Sequence, residues 1–244
     1  MQYLDTVQGR RIAYHSTQGA GPTVVFLGGF KSDMEGSKAT YLEEWARREG
    51  RAFVRFDYSG HGQSAGAFTD GCIGDWRDDA RAVLTELTTG PLVLAGSSMG
   101  GWISLLLARE MPDRLKGLVT IAAAPDFTTR HWEGLSQTDR ATVLREGQVA
   151  QPSDYGEPYI FTKRLFDDGA ENRVLTAPLS LSCPVRMVQG TADNAVPTAE
   201  ATRLLDHLDC PDAQLLLVKD KDHSFSDPEC LQLIERCVTE VSAS

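Results

Sequence analysis

The segment LAGSSMGG, Leu94 to Gly101, follows the apolar run GPLVL and leads into a stretch of helical periodicity from Met99 to Arg109. A buried strand that turns directly into a helix through G-x-S-x-G constrains the chain strongly: the central serine, Ser98, must sit in a sharp, strained turn with its hydroxyl projecting from the end of the sheet. Strand and helix approach closely there, so the neighbours have to be small, and Gly96, Gly100 and Gly101 meet that demand. Ser97 occupies the variable position and is expected to point away. The competing reading is a plain glycine-serine turn with hydroxyl hydrogen bonds; the elements on either side and the residues discussed below favour a nucleophile at Ser98.

Five further runs resemble the one before Ser98: TVVFLGG, AFVRFDYSG, LVTIAA, VRMVQG and QLLLVKD. Their unbroken apolar character suits strands covered on both faces, and the helical segments between them predict an α/β fold with a mostly parallel central sheet flanked by helices. Helices are expected at about Lys38 to Arg48, Ile73 to Thr88, Met99 to Arg109, Thr198 to Leu208 and Asp227 to Val241. The opening YLDTVQGRRIAYHST, with Gln8-Gly9 at its centre, reads as an antiparallel edge hairpin. The rhythm breaks between Pro125 and Cys183. Structureless loops of that length are rare in compact domains, so Asp126 to Ala177 (126–177) is expected to be a mostly helical cap inserted into a single domain spanning 1–244. Its aromatics are Phe127, Trp132, Tyr155, Tyr159, Phe161 and Phe166.

Composition narrows the function classes. The 244 residues carry a formal net charge of -10 without a basic cluster, which argues against nucleic acid as a partner. The five cysteines, Cys72, Cys183, Cys210, Cys230 and Cys237, are scattered, with no CxxC pair and no histidine at ligand spacing. No metal and no cofactor are expected. The start MQYLDTVQGRR lacks the apolar core of a signal peptide, and no apolar run is long enough to span a membrane. A cytoplasmic location is the resulting expectation; the sequence is silent on oligomeric state.

A serine hydroxyl is a weak nucleophile and needs an imidazole base oriented by a carboxylate. Among His15, His61, His131, His207 and His223, the last follows the final central strand, where a loop can carry it over Ser98. Asp193, in QGTADNAVP after the penultimate strand, has the chain order Ser, Asp, His that suits such a sheet. Asp220 and Asp222 compete by proximity to His223, but a neighbour's carboxylate rarely reaches the ring in the required orientation. The backbone N–H groups of Met99 and Phe30 are the expected oxyanion donors, with Gly29 allowing the substrate close to the backbone. In the cap, Arg130, Trp132 and Tyr159 are candidate substrate contacts. Arg130, Lys163 and Arg164 are the cations that could meet a carboxylate on the substrate, although solvated surface charges are the commoner case.

Taken together, LGGF, FDYSGHGQS, GSSMGGW, QGTADNAVP and DHSF make the chain resemble an α/β-hydrolase fold serine hydrolase over nearly its whole length. Within that superfamily it is similar to the group of the mitochondrial alpha/beta-hydrolase domain-containing protein ten, which shares the G-x-K-A run, FDYSG, GSS-x-GGW, CP-R and DH. The resemblance implies hydrolysis of carboxylic esters and S-acyl thioesters, including protein depalmitoylation and acyl-glucuronide cleavage. The substrate would then be a small-molecule ester or thioester or an acylated protein. Two positions depart from the common pattern: Gly28-Gly29 stands for the His-Gly of the oxyanion loop, and Gln189-Gly190 for the His-Gly before the acid. The same triad would also serve an amidase or a carbon–carbon bond hydrolase, and a non-catalytic binder is the alternative outside enzymology.

Overall fold

Side chains on a strand alternate between faces, so a sheet covered on both sides feeds two cores. In the computed structural model, which describes residues 1–152 and 158–243, the central sheet has eight strands. Their order is β1 (Gln2–Asp5), β2 (Arg11–Thr17), β4 (Arg51–Phe56), β3 (Ala20–Leu27), β5 (Leu92–Ser97), β6 (Leu115–Ile121), β10 (Val185–Gly190) and β12 (Ala213–Val218). β1 and β2 form the antiparallel hairpin expected at the start, and β2 pairs antiparallel with β4. All later neighbours, from β4 to β12, run parallel. The six expected central strands and the expected fold class are therefore present.

The alternation is visible residue by residue. Val25 and Leu27 of β3, Val54 and Phe56 of β4, and Leu92 and Leu94 of β5 enter one core with α2 (Ile73–Glu86) and α3 (Met99–Glu110). Val24 and Phe26, Phe53, and Val93 and Ala95 enter the other, with α1 (Ser37–Glu49) and α8 (Pro228–Ala243). Leu204 of α7 (Thr198–His207) joins the first core. The expected helices thus each cover a sheet face.

Between β6 and β10 the chain makes α4 (Phe127–Gly134), α5 (Gln137–Glu146), β7 (Gln148–Gln151), β8 (Tyr159–Thr162) and α6 (Lys163–Glu171). The insertion is less helical than expected, because β7 and β8 pair as an antiparallel ribbon, with Val149 opposite Phe161. The cause is local. Gly147 ends α5 at a φ of 80°, and Tyr159-Ile160-Phe161-Thr162 is a β-prone quartet whose Phe161 turns inward. Tyr155 lies outside the described residues. Asp126 ties the base of the insertion together: its carboxylate accepts the N–H groups of Val174 and Leu175 at 2.8 and 3.0 Å. Beyond it, β9 (Leu179–Ser180) and β11 (Leu208–Asp209) make a short parallel pair.

The first turn of α3 lies hard against the end of β3. A Cβ on Gly100 would collide with the carbonyl oxygens of Leu27 and Gly28, backbone that cannot yield without moving the sheet. Gly100→Ala is therefore expected to destabilise the fold by about 1–3 kcal/mol, measured by urea denaturation; a wild-type midpoint would show that this approach is looser than described.

Candidate active site

Ser98, between β5 and α3, holds φ 53° and ψ −117°, a region that side-chain-bearing residues rarely adopt. Its N–H donates to Ile121 at 2.9 Å, and its carbonyl accepts the N–H groups of Gly101 and Ala124 at 2.9 and 3.1 Å. The turn is thus clamped by β6 on one side and by its own helix on the other. A Cβ at Gly96 would strike the Gly100 carbonyl and the Ser104 hydroxyl, so the tight turn tolerates nothing larger there. Ser97 is buried.

The loops after β10 and β12 bring two further side chains to Ser98. His223 Nε2 lies 3.1 Å from Ser98 Oγ, and His223 Nδ1 lies 2.8 Å from Asp193 Oδ2. Asp193 is fully enclosed at its side chain. Its Oδ1 accepts the N–H groups of Ala195 and Val196 at 2.9 and 2.8 Å, and its Oδ2 also accepts Gln189 Nε2 at 2.9 Å. Burial, the largest single influence, pushes the carboxyl pKa up. The hydrogen bonds from His223, Val196 and Gln189 with the imidazole's charge outweigh it and hold the group below its ordinary range. Of the rivals, Asp222 directs Oδ1 to the N–H of Phe225 at 3.2 Å, and Asp220 is exposed, its backbone N–H donating to Thr191 Oγ1. That same bond, with the one from Ala192 N–H to the Lys221 carbonyl at 2.9 Å, stitches the acid loop to the histidine loop.

The loop after β3 lies against the other side of Ser98, where a Cβ built on Gly29 would stand 3.4 Å from the serine's Cβ. The Gly29 carbonyl accepts the hydroxyl and the N–H of Ser32 at 2.9 and 3.3 Å. Since C=O and N–H of one peptide point opposite ways, this fixes the direction of the Phe30 N–H. The next N–H, that of Lys31 at a φ of 55°, donates to His61 Nε2 at 3.2 Å. His61 Nδ1–H in turn donates to the Ser59 carbonyl at 3.2 Å. Burial pushes the His61 pKa down to about 4, so the ring stays neutral and can accept. Asp57 completes the support, accepting Met34 N–H and Gln63 N–H at 2.6 and 2.7 Å. Met99 opens α3, where no intrahelical carbonyl can reach its N–H.

Of the candidate substrate contacts, Tyr159 packs edge-on to Phe30 with centroids 5.7 Å apart, and Phe68, Trp76, Phe127 and Phe161 complete an aromatic cluster around that ring. Trp132 instead packs on Phe166. The cations are engaged by protein groups. Arg130 donates to the Ala195 carbonyl at 3.0 Å, Lys163 pairs with Asp167, and Arg164 pairs with Asp75 at 2.7 Å. Arg130 thus fastens the cap to the acid loop.

A family model described as serine aminopeptidase, S33, matches residues 20–164. The rat palmitoyl-protein thioesterase ABHD10, mitochondrial, is 33% identical over 240 residues, covering 96% of this chain and 80% of that protein. The chain belongs to this α/β-hydrolase family. The human ABHD10 protein is 31% identical over 236 residues, 96% of this chain and 77% of its own. Among solved structures, the hydrolase is similar to mouse alpha/beta hydrolase domain-containing protein 10, with a TM-score of 0.92, 30% identity and coverage of 98% of this chain and 97% of that one. A protein from Agrobacterium vitis S4 is similar at a TM-score of 0.94 and 39% identity, covering 99% and 97%. No described helix of the hydrolase is long and apolar enough to cross a membrane.

Gln189, a departure from the common pattern, and His61, one of the five candidate bases, take supporting roles that the sequence does not reveal. Both stand in recognisable runs, QGTADNAVP and FDYSGHGQS, but the His61 contact to Lys31 spans 30 residues and the Gln189 contact to Asp193 depends on how the loop after β10 closes, so only the fold displays them. Gln189→Leu removes a hydrogen bond that favours the charged carboxylate, so the Asp193 pKa is expected to rise. A carbon-13 carboxyl titration followed by NMR checks this, and an unmoved Asp193 titration would contradict it.

Proposed function

We propose that the protein is a serine hydrolase that cleaves carboxylic esters or thioesters, with Ser98 as nucleophile, His223 as base and Asp193 as the orienting acid. The observation that carries the reading is the unbroken hydrogen-bonded chain from Ser98 Oγ through the imidazole to Asp193, mounted on a strained strand-to-helix turn. Ser98 Oγ attacks the acyl carbon while its proton passes to His223 Nε2. The N–H groups of Phe30 and Met99 receive the developing oxyanion. Collapse of that intermediate breaks the carbon–oxygen or carbon–sulfur bond, and the leaving group takes the proton from His223. Water, deprotonated by the same imidazole, then attacks the acyl-serine, releasing the carboxylic acid and restoring Ser98. The scheme uses no metal or cofactor.

The acyl group is assigned to the aromatic cluster packed around Phe30, the residue whose N–H is the proposed oxyanion donor. Thioester cleavage, with S-acyl small molecules or acylated proteins as substrates, is favoured by similarity to the ABHD10 proteins, whose name carries that activity. Acyl glucuronides belong in the same substrate panel. The engagement of Arg130, Lys163 and Arg164 by protein groups argues against a strong preference for them. The five cysteines are free thiols, which fits a reducing compartment such as the cytosol; the name of the ABHD10 relatives assigns those proteins to mitochondria.

A fluorophosphonate probe is expected to label the wild type at Ser98, to spare Ser98→Ala and to label Ser97→Ala. Labelling retained in Ser98→Ala would remove the nucleophile from the scheme. Asp193→Asn is expected to lower kcat by about four orders of magnitude with the fold intact by circular dichroism, whereas Asp222→Asn stays near wild type. The reverse ranking would reassign the acid. A panel of matched ester, thioester, acyl-glucuronide and anilide substrates decides the leaving group. The reading requires the ester or thioester to give the highest kcat/KM, and a dominant anilide activity would make the protein an amidase.

A further inference from the structure

The run GSKA, Gly36 to Ala39, takes no part in the proton path, yet it places a lysine where a helix disfavours one. Lys38 lies in the first turn of α1, at the positive end of the helix dipole, and that turn contains no acidic residue. The side chain is half-buried and crosses to the loop that carries His223. Its Nζ donates to the Ser224 carbonyl at 2.5 Å and to Ser226 Oγ at 3.3 Å. Between these two contacts Phe225 is held at a φ of 47°, its ring buried in the core formed with α1 and α8. The loop is therefore strained immediately after His223 and pinned from below by one ammonium group.

We propose that Lys38 is the positioning residue of the base, holding Ser224 to Ser226 so that the His223 imidazole stays in line between Ser98 and Asp193. This rests on the reading of His223 as the base. The groups whose charge acts on Lys38 are the Asp222 carboxylate, on the same loop, and the Cys230 thiol of α8. Burial pushes that thiol up to about 12, so it remains neutral. The other lysine of the loop, Lys221, is occupied by Asp227 and Glu229 at 2.9 and 3.3 Å and does not replace Lys38.

Burial pushes the Lys38 ammonium down to about 8 against the favourable pull of Asp222. Its charge, and with it the charge-assisted hold on the Ser224 carbonyl, is lost as pH rises through that value. The folded state binds this proton less tightly than the unfolded chain does. The Lys38 contribution to stability therefore does not decline over the same range, and a fall in rate there reflects positioning rather than unfolding.

The test measures kcat and KM for a 4-methylumbelliferyl ester, with Tm alongside, from about pH 5 to about pH 10 in wild type, Lys38→Met, Lys38→Arg and His223→Ala. Wild-type kcat is expected to decline above about pH 8 while Tm holds. Lys38→Met is expected to lose about tenfold to a hundredfold in kcat with KM unchanged, and to show no alkaline limb. Lys38→Arg, whose guanidinium does not titrate in this range, is expected to recover most of kcat and keep it flat above about pH 8. Wild-type kcat in Lys38→Met overturns the proposal, as does a wild-type alkaline limb in Lys38→Arg, which also decides the case if Lys38→Met fails to fold. His223→Ala tests the underlying reading separately. If it retains activity, His223 is not the base; if it is inactive while Lys38→Met matches wild type, only the role of Lys38 falls.

Discussion

The backbone at Ser98, at φ 53° and ψ −117°, is held in a conformation that a free chain would leave. Three neighbours keep it there. β6 accepts its N–H through Ile121, α3 takes its carbonyl through Gly101, and the Ala124 N–H takes the same carbonyl from the far side. The small residues around it follow from this arrangement rather than from local flexibility, since a Cβ at Gly96 or Gly100 would collide with main chain. Because the serine cannot relax, everything that must meet it is built onto the same edge of the sheet: the Gly28–Phe30 loop after β3, the Asp193 loop after β10 and the His223 loop after β12.

Each of those loops is held by a titratable side chain whose charge is set by the balance of burial against its hydrogen-bond partners. His61 is kept neutral, so its ring can accept the Lys31 N–H and steady the strand-end loop next to Phe30. Asp193 is kept ionised because four donors reach its two oxygens. Lys38 holds the histidine loop from α1, directly downstream of the loop that His61 steadies. The helix that begins after the β3 loop thus connects the two sides of the site.

Much of this was legible in the sequence. The apolar runs that became β3 to β6, β10 and β12 announced a sheet covered on both faces, and the glycine spacing around Ser98 announced the turn. Asp193 and His223 were named from their places after strands, and they are the side chains that the fold brings to Ser98. The β7–β8 ribbon was not foreseen, because two four-residue strands flanked by helices carry too few alternations to outweigh the helical pattern around them. The supporting roles of Gln189, His61 and Lys38 are illegible in the sequence for another reason. Their partners lie 4, 30 and 186 residues away, and even the short Gln189 contact depends on a turn whose closure the sequence does not display. Of the cap cations, Lys163 pairs with Asp167 on its own helix, whereas the groups that engage Arg130 and Arg164 come from distant elements that the sequence does not place beside them.

The central claim is that Ser98 carries the acyl group during turnover. The direct measurement is mass spectrometry of enzyme quenched within the first turnovers on a long-chain S-acyl thioester, followed by peptide mapping. The account predicts a transient adduct of the acyl mass on the peptide containing Ser98, absent in Ser98→Ala and long-lived when deacylation is slowed by acidic quench. An acyl adduct on one of the five cysteines, or turnover without any adduct at Ser98 under conditions where acylation outpaces deacylation, would contradict it.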